Sequence, residues 1–508
     1  MAALLEASVG RRVVVRYRKP QSLRAADSSD DSSAWSQSSR PLELLAVELA
    51  ADPSAVKNTA AAAAATAADG SARAVTRAAA DSGSPEGVAP PDIASVVFLY
   101  SMCGYRRAID EAAFRALWFN TGRTRPNDYT MQNYIQKCSF GRSKLTNSTQ
   151  LVFEVDVPCR GTGPGGRYNS KVACGDAEQA AWSQAAEELV QRQWDIDLTP
   201  YKQRIGVLPN EVSKICGFGG RGSVGCAERC YTWITHDYAS NLVYFLHEMG
   251  HNWGLRHATA YDSASATGDW SCIMGTAGAC LNAANGWKMG WALPLPGADL
   301  NGSTMPPGTW LPYFVPYQST AHASHVRIYP SWVPTNSTDL GGGLPAPAFF
   351  ISARIEDLPF EGGVLDDYWD EHFDSPPGMV FVHTSQNSQE PVPYLASHME
   401  AALNASQQYR APPPYDIVVR VDRLDGATGA SVTVCRSEQE AESRNDGSCY
   451  DGIDNDCDGL TDQQDQDCQT GALKPPPPAR AQPQRPPRSE WGSDSPPPPP
   501  PPSPPRLL

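Results

Sequence analysis

The chain has 508 residues, 41% of them hydrophobic, enough to bury a large core divided over more than one domain. Its formal net charge of -15 removes the electrostatic basis for a nucleic-acid partner, and no apolar run approaches the eighteen residues of a membrane span. Thirteen cysteines and four Asn-x-Ser/Thr sequons, at Asn147, Asn301, Asn336 and Asn404, suit an oxidising, secretory compartment. The first twenty residues nevertheless lack the uninterrupted apolar core of a signal peptide, because Arg11, Arg12, Arg16, Arg18 and Lys19 flank and interrupt Val13 to Val15. An odd cysteine count and a proline-rich tail make little sense in the cytosol, so the expectation is an extracellular protein whose N-terminus is incomplete here.

Residues 1–92 begin with an apolar run, Arg11 to Tyr17, that reads as a strand, then pass into Ser/Asp-rich and Ala-rich stretches with no face to bury. They are read as a low-complexity segment, a truncated pro-region. Ala94 to Tyr100 is a short apolar run bounded by Pro91 and Gly104, hence a buried strand, and Cys103 just after it is read as structural. A helix is predicted over Ala112 to Phe119, a strand over Leu151 to Val157, an amphipathic helix over Asp176 to Trp194 and a strand over Gln203 to Leu208.

Residues 247 to 257 read His-Glu-Met-Gly-His-Asn-Trp-Gly-Leu-Arg-His. His247 and His251 sit one turn apart on one helical face with Glu248 beside them, while Leu242, Phe245, Leu246, Met249 and Trp253 form a stripe for the core. Gly254 can leave helical geometry at little cost and return His257 to the same ion. Three imidazoles leave the fourth position of a tetrahedral zinc open to water. Seventeen residues after His257, Met274 in Cys-Ile-Met-Gly offers a soft apolar floor beneath the histidines.

These residues match the H-E-x-x-H-x-x-G-x-x-H string with a following Met-turn, and so resemble the metzincins. Further matches, at Ser101-Met-Cys-Gly104, Asp156-Val-Pro-Cys159, Tyr201-Lys-Gln-Arg204, Gly225-Cys226, Asn241-Leu242, Cys280-Leu-Asn-Ala-Ala284 and Gly290-Trp291, make the chain similar to the gametolysin family of algal metallopeptidases. The resemblance runs from about 93 to 435. It implies an α+β fold: a metzincin-like catalytic domain over 93–295, with a twisted sheet, an active-site helix and a Met-turn at Met274, and a β-rich region over 296–435. It further implies His247, His251 and His257 as zinc ligands, Glu248 as catalytic base, and proline- or hydroxyproline-rich matrix or cell-wall glycoproteins as substrates.

Within 296–435, strands are predicted at Trp310 to Tyr317, Ala348 to Ile355, Met379 to His383 and Ile417 to Val421; His322 and His325, without further ligands nearby, are read as surface or core residues. A Cys/Asp-rich loop occupies 436–470. Asp454, Asp456, Asp458, Leu460 through its carbonyl, Asp462 and Asp465 fall on the ligand positions of an EF-hand-like loop, which makes calcium the expected second metal. Cys435, Cys449, Cys457 and Cys468 can staple it in any of three pairings. Residues 471–508, with 16 prolines, read as an extended polyproline tail suited to matrix association. The expected function is a zinc endopeptidase; the competing one is a non-catalytic matrix protein built on the same scaffold.

Overall fold

The structure is a computed structural model describing the backbone of residues 13–18 and 43–49, and residues 93–120, 129–225, 229–334, 346–357, 360–361, 378–385 and 396–469. The proline-rich tail and most of the N-terminal segment lie outside the described residues. Two compact units are distinguished, Met1–Asp81 and Ser82–Leu508. In the first, β1 (Val13–Arg18) pairs antiparallel with β2 (Glu43–Leu49).

The second unit is a mixed α/β fold rich in sheet. Its first sheet is built on β3 (Ser95–Met102), whose run of apolar residues is covered on both faces, as a parallel central strand requires. The order is β4 (Gln150–Val157), β3, β7 (Gln203–Val207), β9 (Cys230–Ile234) and β8 (Gly220–Gly222). All pair parallel except β8, which runs antiparallel to β9 at the edge. A separate hairpin, β5 (Arg160–Gly163) and β6 (Gly166–Asn169), follows β4.

Alternation along β3 sends Val96, Phe98 and Tyr100 to a core with Trp182, Ala186 and Val190 of helix α3 (Asp176–Trp194). Val97 and Leu99 face the opposite core, shared with Phe114 and Trp118 of α1 (Glu111–Trp118), Tyr134 and Ile135 of α2 (Met131–Cys138), and Phe245, Leu246 and Met249 of α5 (Leu242–Asn252). A short helix, α4 (Asn210–Cys216), follows β7. Each predicted strand and helix up to residue 208 has its counterpart within two residues; α2, the hairpin, α4 and β8–β9 lie where no element is predicted.

Beyond α5, β10 (Ala258–Ala260) begins a second sheet with β11 (Leu293–Leu300), β13 (Ala323–Ile328), β14 (Ala348–Arg354), β15 (Met379–Ser385) and β16 (Ser397–Leu403), in the order β10-β16-β15-β14-β13-β11. Four more strands, β12 (Leu311–Pro316), β17 (Gln408–Arg410), β18 (Ile417–Asp425) and β19 (Gly429–Arg436), form a third sheet. Val326, Ile351 and Val382 meet Val419, Val432 and Val434 in a core between the two. Disulfides join Cys103 to Cys159, Cys138 to Cys280 and Cys174 to Cys216. Cys103 is thus structural.

Candidate active site and metal centre

Asn241 caps α5 by accepting the Val243 N–H, and the stripe of Leu242, Phe245, Leu246 and Met249 seats the helix against the first sheet. That burial turns His247 and His251 to the other side. The helix ends in a Schellman turn: Leu255 donates to the Gly250 carbonyl and Gly254, at φ 84°, donates to that of His251. A residue with a Cβ is strained at that φ, so Gly254 is what allows the reversal into β10. Its carbonyl is held by Lys288 of α6 (Ala283–Lys288) at 3.0 Å.

The reversal brings the third histidine back. The ring centroids of His247, His251 and His257 are 5.0, 5.2 and 4.9 Å apart, and one ligand nitrogen from each lies within 4.8 Å of the others. The Nδ1 of His247 donates to the Ile273 carbonyl at 2.8 Å and that of His251 to the Leu255 carbonyl at 2.9 Å. A carbonyl can only accept, so both rings carry their proton on Nδ1 and leave the Nε2 lone pair free. Burial, then the neighbouring His251, pushes His247 down to about 4; burial, with His257 and Arg256 adding to it, does the same to His251; burial and Arg256 lower His257. Neutral imidazoles with free Nε2 atoms are the donor set that zinc takes, so the residues present fit the ion.

Glu248 is 7% exposed and lies against the edge strand β8. A Cβ on Gly220 would fall 2.6 Å from Glu248 Oε1, and one on Gly222 would fall 2.4 Å from its backbone oxygen, so both glycines are needed for the strand to pass this closely. Burial pushes the carboxyl up to about 7, against the opposing hydrogen bond from the Gly222 N–H. Asn252 ties α5 to the same strands, accepting from Thr232 and donating to the Ser223 and Tyr231 carbonyls.

Met274 is fully buried under the helix, with its sulfur 2.2 Å from where a Cβ of Gly250 would stand. Its carbonyl accepts from Ala258 in β10 at 2.9 Å, so the loop carrying it is pinned beside His257. Sequence reasoning singled out the histidines, Glu248, Gly254 and Met274. It missed Ile273, Gly220 and Gly222, which act through a backbone carbonyl or close approach, and Asn252 and Lys288, whose side chains bond mainly to backbone carbonyls; the Gly219-Gly220 and Gly222 cluster was the available signal.

Residues 92–384 match the family described as Gametolysin peptidase M11. The chain belongs to the gametolysin peptidase family. Autolysin from Chlamydomonas reinhardtii is 25% identical over 349 residues, which cover 58% of this chain and 52% of that relative; the chain spans about half the relative's length. The matched stretch contains the histidine cluster and runs on to β15.

The acidic loop lies beyond that match. Asp454, Asp456 and Asp458 bring carboxylate oxygens together, and Asp456 does so again with Asp465 and Asp467; Asp462 is in neither group and accepts the Gly452 N–H. Leu460 donates its N–H to Asp458, and Asp454 accepts from Trp310 Nε1 at 2.6 Å. Of the three pairings open to the four cysteines, the fold has Cys435 with Cys457 and Cys449 with Cys468. His322 is exposed and His325 fully buried, its ring nitrogens without hydrogen-bond partners among the described residues.

Proposed function

We propose that the chain is a zinc endopeptidase of the metzincin type, with His247, His251 and His257 as ligands, Glu248 as general base and Met274 as the Met-turn residue. The observation that carries this reading is the convergence of three histidines, two with their Nδ1 atoms occupied by carbonyls, next to a buried glutamate on the same helix. Zinc held there supplies an acidified water and a polarised scissile carbonyl. Glu248 takes a proton from that water as its oxygen adds to the carbonyl carbon. The carboxyl then returns the proton to the amide nitrogen as the C–N bond breaks, leaving a carboxylic acid and an amine. A carboxyl near 7 is suited to both halves, since it is neither a weak acceptor nor a reluctant donor at neutral pH.

The family resemblance supports proline- or hydroxyproline-rich cell-wall glycoproteins as substrates. The disulfides support an oxidising, extracellular setting. The division of the chain at 92, 295, 435 and 470 belongs to the same reading, with residues 1–92 as pro-region and 471–508 as a matrix tether.

Zinc content and cleavage of casein and of a proline-rich glycoprotein, with chelation and zinc add-back, test the assignment. Glu248→Gln should keep zinc and fold and lose turnover by about 10²–10⁴-fold or more, because the amide cannot accept the proton. His251→Ala should lose the metal on dialysis. A scaffold protein would have no activity to lose, and equal turnover of parent and Glu248→Gln would end the peptidase reading.

A further inference from the structure

The loop between β10 and α6 carries Ile273, which orients His247, and Met274, which floors the site. Its apolar residues pack into the core shared with the first sheet, while its polar groups are held by three consecutive strands of the second sheet. From β14, the Arg354 guanidinium donates through one arm to the Ser271 carbonyl and through the other to the Cys280 carbonyl at 3.2 Å. Ser271 and Cys280 flank Ile273 and Met274. The guanidinium is itself fixed by Glu361, whose Oε2 accepts from Nε at 2.7 Å and from Nη2. From β15, His383 Nε2 lies 3.2 Å from Asp269 Oδ2 and 3.3 Å from the Ser271 hydroxyl. From β16, the Ser397 hydroxyl accepts from Asn282, which also donates to Asp269 at 2.9 Å.

All of these groups are buried: Arg354 is 3% exposed, Glu361 2%, and Asp269, His383, Asn282 and Ser397 not at all. Enclosing so many polar groups is expensive, and apolar residues of equal volume would stabilise a mere packing interface at least as well. Their common feature is the loop they hold. A planar guanidinium has five donors in a fixed fork and can grip two carbonyls and a carboxylate at once, whereas an ammonium has three donors on one nitrogen and no such fixed geometry. Asp269 ties the loop from within, accepting the N–H and the hydroxyl of Ser271, while its backbone N–H and carbonyl bond to Ala258 and Thr276.

We propose that Arg354 and His383 of the second sheet are positioning residues of the metal centre, acting through the Ser271–Cys280 loop on His247 and Met274, so that the C-terminal sheet is a working part of the catalytic unit. This rests on the reading of the three histidines as the zinc site. The chain of action is short: Arg354 holds Ser271, two residues on Ile273 holds the Nδ1 proton of His247, and the direction of the His247 Nε2 lone pair follows.

The test measures zinc affinity by competition with a chromophoric chelator, the visible spectrum of the cobalt-substituted protein, and melting of each metal-free protein. Arg354→Met should weaken zinc by about 10–100-fold, the usual cost of losing an outer-shell partner, and alter the cobalt spectrum. Arg354→Lys, which keeps the charge but reaches fewer acceptors, should fall between it and the parent, and His383→Asn should weaken zinc less than Arg354→Met. Ile351→Val, on the opposite face of β14, should lower the melting temperature and leave zinc affinity and spectrum alone. If Arg354→Met does not fold, Arg354→Lys and His383→Asn carry the same expectation. The proposal is overturned if those variants bind zinc within about twofold of the parent whatever their melting temperatures, or if Ile351→Val weakens zinc as much. Equal zinc binding by the parent and His251→Ala would instead bring down the site reading and this inference with it, an outcome distinct from a parent that depends on His251 but not on Arg354.

Discussion

The histidine cluster and the acidic loop are both written in the sequence as runs of ligand-type residues, and the fold treats them differently. In the first, the Nδ1 atoms of His247 and His251 are taken up by the carbonyls of Ile273 and Leu255, and Ile273 lies 26 residues beyond the histidine it orients. In the second, the carboxylates turn inward on their own backbone. Asp454 accepts from Asp458 and Gly459, Asp456 from Asp458, Asp458 from Leu460 and Asp465 from Asp467. One site is organised by long-range packing that leaves the Nε2 atoms of His247 and His251 clear of the carbonyls that hold Nδ1. The other is a set of mostly local turns, locked by two disulfides and anchored by Trp310 at Asp454, whose carboxylates keep lone pairs for a cation only in directions their N–H partners leave open. Ligand spacing alone therefore does not separate the two; the partners of the non-coordinating atoms do.

The sharpest way to break the histidine side without touching a ligand is Gly250→Ala. The new methyl would stand 2.2 Å from the sulfur of the fully buried Met274, so that side chain must shift within the core. Overpacking of this kind costs about 1–3 kcal/mol. Because the strain falls on the floor under His247 and His251, zinc affinity should drop together with the melting temperature. Both are read in one denaturation series with and without zinc, and an unchanged midpoint would show that Met274 does not support the helix.

The half that carries the histidine cluster was legible where local pattern and chemistry coincide. The periodicity of Leu242 to Trp253 gave α5, and Gly254 gave the reversal. Strand β3 was legible because a central parallel strand is apolar almost throughout, and β4, at the edge of the sheet, because its valines and Phe153 outnumber Glu154 and Asp156. Elements made of polar or glycine residues were not: β8 is Gly-Arg-Gly and is a strand only because β9 lies beside it, and α2 carries Gln132, Asn133 and Gln136 among its few apolar residues. The bracing of the site was illegible for another reason. Arg354 and His383 are 80 and 109 residues beyond Met274, in strands whose sequence says only that they are buried on both faces. No local rule marks a strand arginine as the holder of a distant carbonyl.

On the acidic side, calcium at ten times its dissociation constant would stabilise the loop by about 1.4 kcal/mol if the spacing of its aspartates means what it implies. A pH response should accompany this. Burial pushes Glu442 up to about 7, the charges of Asp465 and Asp456 push the same way, and the N–H groups of Asn455 and Asp462 oppose them. A carboxyl raised in the folded state gives stability that is fully present below its ordinary value near 4.5 and is lost as pH rises through about 7. Hydrogen exchange at the Asn455 and Asp462 amides, corrected for intrinsic rate and run in EGTA, should thus show protection falling between pH 5 and pH 8, and calcium should restore it. Protection that rises with pH, or is indifferent to calcium, would leave the loop a disulfide-locked turn with no ion to hold.

The smallest effect is expected at the one free cysteine among the described residues, Cys272. Thirteen cysteines cannot all pair within one chain, and an unpaired thiol near three histidines invites comparison with a metal ligand. Only a thiolate coordinates zinc or attacks a thiol reagent. Cys272 is fully buried, and burial followed by the nearby Asp269 charge pushes its thiol up to about 11, against hydrogen bonds from Asn282, Met274 and Asn285. At pH 8 roughly one molecule in a thousand carries the thiolate, and its sulfur is buried. Incubating the native protein with iodoacetamide should leave Cys272 unlabelled and zinc content unchanged, while denaturation without reductant should expose it. Labelling of the native protein at the rate of a free thiol would place Cys272 on an open wall of the site, and the contrast between a centre held by histidines alone and a loop held by carboxylates would have to include a sulfur.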